Sequence, residues 1–257
     1  MSLAAPGNSD DAALAAALGR LQLSRLTWGV LTRPLGEQSE WALRRVRSLS
    51  IATTGPAAPA VTASLAALTG LTHLELRCQL HNQGSYELKG AALLAAASQL
   101  PALASLSLGL AGAYWVYSSS RSSGCGRRAS FSHLLPGLQQ LAIINCAWDA
   151  PLLAFAASCP GLEDLRLVGD DATCHVTDAG LRQLAQYAGG SLRRVALEGC
   201  DGVTEAGVAC LLGGMSRLER LDVVRCRQVA REPCRRALAE CAAAGRRQLL
   251  VNHRSCA

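Results

Sequence analysis

The segment Gly169-Asp170-Asp171-Ala172-Thr173-Cys174-His175 places two carboxylates, a thiol and an imidazole in one short run. These residue types ligate divalent metals, with the carboxylates and imidazole as harder donors and the thiolate as a softer one. The spacing fits no closed site, and the run reads as a polar turn between an apolar stretch and a helical one. The remaining histidines, His73, His81, His133 and His253, are scattered, and none has a nucleophile or acid at a telling spacing. No GxSxG turn or glycine-rich phosphate loop occurs. The 11 cysteines include no CxxC pair, which argues against zinc ribbons and dithiol redox motifs. The expectation is a protein without enzymatic activity, cofactor or metal.

Cationic chemistry is more prominent. The net charge is +6. From Arg225 to Ala257 there are eight arginines and two glutamates, 8 − 2 = +6, so the rest of the chain is neutral, with 17 basic and 17 acidic residues. Such a cluster could contact phosphates. However, Glu232/Arg236 and Arg236/Glu240 fall at helical i,i+4 spacing, so part of it reads as a salt-bridged helix face, and nucleic-acid binding is not expected. Arg127-Arg128-Ala129-Ser130 resembles a site for basophilic kinases; a phosphate on Ser130 would add nearly two negative charges beside the arginines. The same segment opens with Tyr114, Trp115 and Tyr117, aromatic anchors of a candidate partner-binding loop, and continues with serine, glycine and arginine as a flexible insertion would.

The elements that position these residues are written as a repeat. LEDLRLVGD leads to VTDAGLRQLA, LRRVALEGC to VTEAGVACLL, and LERLDVVRC to QVAREPCRRALAEC, between Leu162 and Cys241. Each copy opens with LxxLxL-type spacing. Strand units are expected to start at Leu23, Val46, Leu71, Leu103, Leu138, Leu162, Leu192 and Leu218, with intervals from 23 (Leu23 to Val46) to 35 (Leu103 to Leu138). A last half-unit is expected at Leu249 and Val251. A unit of this length cannot bury its apolar face alone and must stack on its neighbours. Half the chain is apolar but only 4% is aromatic, so leucine, alanine and valine must fill the core.

In LxxLxL the first, fourth and sixth residues point inward, and the third, fifth and seventh alternate outward. Eight parallel strands would span about 34 Å. Thr177 and Thr204, followed by Asp178 and Glu205, read as the caps of helices over Gly180–Tyr187 and Ala206–Leu212. The outward rows supply the candidate partner-binding residues: His73, Glu75, Arg77, Gln140, Asp164, Arg166, Arg194, Glu198, Arg220 and Asp222. Arg166, Arg194 and Arg220 are the expected anchors, since a guanidinium can bond a carboxylate bidentately. The competing reading is an ordinary surface on which Asp164, Arg166, Arg194, Glu198, Arg220 and Asp222 pair with one another. Before the first unit, Ser9-Asp10-Asp11 and an alanine/leucine run predict a capping helix in residues 1–22. The repeat domain then covers 23–257, with an inserted loop at about 112–132.

LxxLxLxxC followed by VTDAGL, and the junction Cys159-Pro160-Gly161-Leu162, resemble the cysteine-containing leucine-rich repeat of F-box/LRR-like and ribonuclease-inhibitor-like solenoids. The resemblance is specific from Leu138 to Cys241 and loose before it. It implies an α/β fold of about eight repeats, curved, with a parallel sheet on the concave face and helices on the convex face. It also implies that Cys146, Cys159, Cys200, Cys226 and Cys241 are structural. For function it implies recognition of another protein, with substrate recognition in a cullin-type (SCF) ubiquitin ligase first, through an adaptor and cullin. The chain shows no proline-led F-box opening. The alternatives are a scaffold of the cytoskeleton or ciliary axoneme, and inhibition of an enzyme by wrapping it. An odd number of cysteines without a CxxC pair, no secretory signal and no stretch near the ~20 apolar residues of a membrane span lead to an intracellular protein, cytoplasmic with cytoskeletal or nuclear association as alternatives; a monomer is expected.

Overall fold

The computed structural model describes residues 2–3, 25–31, 46–54, 65, 68–79, 97–111, 135–145, 159–169, 176–230, 232, 235–236, 239, 243 and 250–254. Two compact units divide the chain, Met1–Gly137 and Leu138–Ala257. The expected capping helix falls almost wholly outside the described residues. So do the loop at 112–132 with Tyr114, Trp115, Tyr117 and Ser130, the Asp170–His175 segment, and Cys146 and Cys241.

The first unit contains β1 (Ser2–Leu3), β2 (Arg25–Leu31), β3 (Ser48–Thr54), β4 (His73–Gln79) and β5 (Ser105–Ala111), each parallel to the next. Arg25, Ser48, His73 and Ser105 are register partners across β2 to β5. Leucine spacing explains both the strands and the turns that feed them. Leu65, Leu68 and Leu71 are buried, and backbone bonds run from Leu68 N to Leu65 O (2.9 Å) and from Leu71 N to Leu68 O (3.0 Å). The chain then extends, and Leu74 and Leu76 enter the same core between Leu49/Ile51 and Leu106/Leu108. Each such side chain contributes about 1.5–3 kcal/mol by leaving water.

The second unit repeats this with β6 (Gln140–Ile144), β7 (Asp164–Val168), β8 (Arg194–Glu198), β9 (Arg220–Val224) and β10 (Leu250–Arg254), again parallel in chain order. β10 takes in Val251 of the expected last half-unit, while Leu249 lies outside the described residues; Val251 and His253 register with Leu221 and Val223. Leu141/Ile143, Leu165/Leu167, Val195/Leu197 and Leu221/Val223 form the buried rows. Among the described residues two helices are complete and lie between strands: α1 (Asp178–Ala188) and α2 (Glu205–Gly214), packed on each other. α1 buries Leu181, Leu184, Ala185 and Ala188, an i, i+3, i+4, i+7 stripe. Thr177 and Thr204 are the N-caps, and their hydroxyls accept from Ala179 N (3.2 Å) and Ala206 N (3.1 Å).

Asp178 does more than complement the helix dipole. Its carboxylate accepts from Thr204 N (2.8 Å) and Thr204 Oγ1 (2.6 Å), so the first turn of α1 holds the cap of α2. The equivalent Glu205 accepts from Ala230 N at 3.3 Å, one repeat further on. Gly207 gives Asp178 room, because a Cβ there would collide with the Asp178 carboxylate.

Strand ends are tied in the same way. Asn145 N donates to Val168 O (2.6 Å), Gly169 N to Glu198 O (2.7 Å) and Gly199 N to Val224 O (2.9 Å). Cys200 and Cys226 are buried beside these ends. The Cys200 thiol reaches Leu167 O at 3.9 Å and Glu198 O at 3.6 Å, and the Cys226 thiol reaches Leu197 O and Val224 O at 3.6 Å. Cys159 is fully buried, and its carbonyl accepts from Leu162 N in the turn before β7. Burial pushes its thiol up to about 12, so it stays neutral.

Candidate partner-binding face

Alternation along a strand sends the residues between the buried rows to the opposite side. In the second unit the first outward row is Gln140, Asp164, Arg194 and Arg220, the next is Ala142, Arg166, Ala196 and Asp222, and the third is Ile144, Val168, Glu198 and Val224. Each row is made of direct register partners, so Asp164, Arg166, Arg194, Glu198, Arg220 and Asp222 come together on β7, β8 and β9. Gln140 stands exposed at the start of β6.

The charged members pair with one another. Arg166 donates to Glu198 at 2.9 Å, Arg220 Nε to Asp222 at 2.7 Å, and Arg194 lies 3.5 Å from Asp164. Arg225, just after β9, donates to the other Glu198 oxygen at 2.7 Å. Asn252 on β10 donates to Asp222 at 2.7 Å. The pairing is vertically ordered. The side chains of Arg166, Arg194, Arg220 and Arg225 are 58, 59, 51 and 54% exposed, while those of Glu198, Asp164 and Asp222 are 23, 33 and 23% exposed. Guanidiniums therefore form the outer layer and carboxylates the recessed one. In the turns before the strands the order reverses. Arg193 sits between Glu219 (2.6 Å) and Glu163 (3.8 Å), and both glutamates are more exposed than the arginine.

Electrostatics follows this layering. The Arg166 hydrogen bond and the Arg225 bond together outweigh burial and hold Glu198 below the usual carboxylate range. Asp164 is moved the other way: burial raises it, against the pull of Arg194, Arg220 and Arg166. Asp222 raises the exposed Arg220 further through its hydrogen bond and charge.

The first unit places the other three candidates on its own face. His73 is exposed at the start of β4, with its Nδ1 2.8 Å from Thr72 Oγ1. Glu75 and Arg77 pair along β4 at 2.8 Å. Burial raises the Glu75 pKa, but hydrogen bonds from Ser50 and Arg77 overcome it and leave the group lowered. The surrounding rows are mainly Ser48, Ser50, Ser105 and Ser107.

Two members of the second face lay outside the sequence-based set. Arg193 precedes its strand, and Arg225 follows its strand. Arg225 also has φ 55°, the left-handed region, where Gly199 has φ 62° and Asn145 φ 61° at the matching position of their units. The signal for Arg225 was the column Asn145, Gly169, Gly199, Arg225, in which arginine is the misfit. At the C-terminal end, Glu232 pairs with Arg235 at i,i+3 and 3.7 Å; the expectation was Arg236 at i,i+4. Among the described residues no group of three His, Cys, Asp or Glu could hold a metal ion, and no helix is long and apolar enough to cross a membrane.

No family model matches this chain. No curated protein matches it either. Among solved structures, a chain in the crystal structure of the Rad7 and Elc1 complex in yeast is similar over 92% of this chain and 77% of that one, at 14% identity and a TM-score of 0.27. The protein is an α/β chain of parallel strands in chain order, whose register gathers charged side chains on one strand face.

Proposed function

We propose that this chain is a leucine-rich-repeat solenoid of about eight units that recognises another protein non-covalently through its outward strand rows. The observation that carries this is the register: residues 24 to 30 apart in sequence stand side by side on β6 to β9, with their charges outward and their apolar alternates sealed below. A pre-built lateral array of this kind suits a macromolecular surface better than a small molecule. On this reading the protein works without catalysis, metal or cofactor. Arg166, Arg194, Glu198, Arg220 and Asp222 are the contact residues of the second unit, and His73, Glu75 and Arg77 those of the first. Thiols outside any disulfide at Cys159, Cys200 and Cys226 suit a reducing, cytoplasmic setting.

The leading specific role is substrate recognition for a cullin-type ubiquitin ligase. Its support is the resemblance of LxxLxLxxC, VTDAGL and Cys159-Pro160-Gly161-Leu162 to the cysteine-containing repeat. The test is affinity purification of the tagged chain from its own cells with quantitative mass spectrometry, beside a folded Arg166→Ala/Arg194→Ala/Arg220→Ala variant. Recovery of a cullin and adaptor, with a further protein lost in the variant, is the expected result. Cytoskeletal or axonemal partners without ligase components would replace the ligase role with a scaffold. Partner recovery unchanged in the variant would refute this face as the binding surface.

A further inference from the structure

We infer that the partner surface bound by β7, β8 and β9 is an acidic protein segment, one that offers aspartate or glutamate carboxylates to Arg194 and Arg220 and to Arg166 and Arg225. This deepens the protein-recognition reading and rests on it.

By formal charge the face is close to balanced: Arg166, Arg194, Arg220 and Arg225 against Asp164, Glu198 and Asp222. A partner does not meet the balance. It meets the outer layer, and that layer is guanidinium, because the carboxylates are recessed. A guanidinium carries five N–H donors. In each pair described above the acid meets one nitrogen of the guanidinium, and more than half of each arginine side chain remains open to solvent. The recessed acids hold the forks in place, so a docking carboxylate meets donors that have already lost much of their rotamer freedom.

Two features look unfavourable for the chain alone and suit an anionic ligand. Arg194 and Arg220 are direct register partners on adjacent strands, an arrangement of like charges that repels. Arg225 occupies a left-handed conformation that disfavours a long side chain, where Asn145 and Gly199 stand in the matching positions. From that position its guanidinium is brought to Glu198, opposite Arg166. Arg166 and Arg225 converge on Glu198, four residues along β8 from Arg194, so the two cationic points are about 13 Å apart along the strands. The rim confines the ligand: Glu163 and Glu219 stand outward around Arg193 before the strands and would repel an acidic segment that strayed. A nucleic acid fits less well. Its closely spaced phosphates would meet that rim and the recessed acids, and no aromatic side chain stands in the outward rows of β6 to β9 for bases to stack on.

The experiment uses the full chain and three labelled probes in fluorescence anisotropy: a twelve-residue peptide of alternating Glu and Ser, its Lys/Ser counterpart, and a twelve-residue oligouridylate. The proteins are the wild type, Arg194→Gln/Arg220→Gln, and Arg235→Gln/Arg236→Gln, which removes equal charge from the C-terminal cluster. The expected result is binding of the Glu/Ser peptide alone, weakened about tenfold or more by the first double substitution and little by the second. Oligouridylate binding with the same dependence on Arg194 and Arg220 would overturn the inference in favour of nucleic acid. Equal loss with both variants would overturn it as a general charge effect. If the Glu/Ser peptide fails to bind while cellular partners are still lost in the arginine variants, the acidic assignment falls and protein recognition stands. If no protein partner depends on this face at all, both fall.

Discussion

The two units share a strand register and differ at the end of each strand. In the first, β3, β4 and β5 run seven residues, and Thr53, Cys78 and Leu110 continue as ladder partners. In the second, β6 to β9 stop after five residues, and the next residue turns away: Asn145 and Arg225 have positive φ, as does Gly199. β-Branched and aliphatic residues favour extended backbone, whereas glycine and asparagine tolerate the left-handed region. At Asn145, Gly199 and Arg225 this column turns the chain out of the strand; β7 ends at the same place with Gly169, which has no positive φ. The outward rows differ as well, serine-rich in one unit and arginine-over-carboxylate in the other. The buried rows are alike, so one set of positions specifies the fold and another is left to vary in chemistry.

The comparison can be tested most severely with two glycines. Gly199 has φ 62°, and a Cβ there would collide with the Gly169 carbonyl; Gly109 in β5 has space, its nearest neighbour being Arg77 Cγ at 3.4 Å. Gly199→Ala is expected to cost about 2–4 kcal/mol. Gly109→Ala should change stability by less than about 1 kcal/mol in either direction. Equal shifts in urea midpoint would mean that the strand ends of the two units are not physically different.

Next comes the bond between α1 and α2. Asp178→Ala should lose about 1–3 kcal/mol, because Thr204 N–H is left without its acceptor. Asp178→Asn should recover part of it. Hydrogen exchange at Thr204 should speed up in the alanine variant; an unchanged rate would show that Asp178 does not hold the cap.

A smaller effect depends on pH. Glu198 has a lowered pKa in the folded protein, so its ion pairs stabilise the fold above the unfolded carboxylate pKa, and that contribution fades as pH falls through the folded value. The stability gap between wild type and Glu198→Gln should be at most about 1 kcal/mol at pH 7 and close as the solution is acidified through the carboxylate range. Asp164 works in the opposite sense. Its pKa is raised, so the folded chain takes up that proton first and gains stability from it as pH falls. Asp164→Asn should therefore remove a gain on acidification, where Glu198→Gln removes a loss. The same direction of change in both variants would contradict the layered face.

The smallest change in stability is expected from Arg225→Gly. Relief of the left-handed arginine offsets the lost surface pair, leaving the unfolding free energy unchanged or raised by up to about 1 kcal/mol. Binding of the Glu/Ser peptide should nevertheless fall. Stability lost with binding untouched would mean that Arg225 serves the fold alone.

Much of this was readable from the residues. The third position of each expected unit, Arg25, Ser48, His73, Ser105, Gln140, Asp164, Arg194 and Arg220, is the first residue of a strand in all eight cases. That worked because leucine at fixed intervals sets both the turn and the inward face. The threonine-acid pairs located both helices for a similar local reason. What failed to show was lateral. Asp178 and Thr204 are separated by 26 residues, as are Arg193 and Glu219, and the choice of partner depends on side-chain direction across strands. The face's layering was equally hidden: composition records that arginines and carboxylates are both present, but not which of them lies on top.

The bonds between neighbouring repeats bear on how such a chain can change length. At strand starts, Arg193 N donates to Glu163 O and Glu219 N to Arg193 O; at strand ends, Gly169 N donates to Glu198 O and Gly199 N to Val224 O. Each repeat thus offers its predecessor what its successor offers it. A duplicated or deleted gene segment that carried one whole repeat would find every junction bond already available on both sides. A segment of half a repeat would match neither. Backbone hydrogen bonding of this kind favours change in length by whole units, and each copy starts with its parent's outward residues, which can then diverge without touching these bonds.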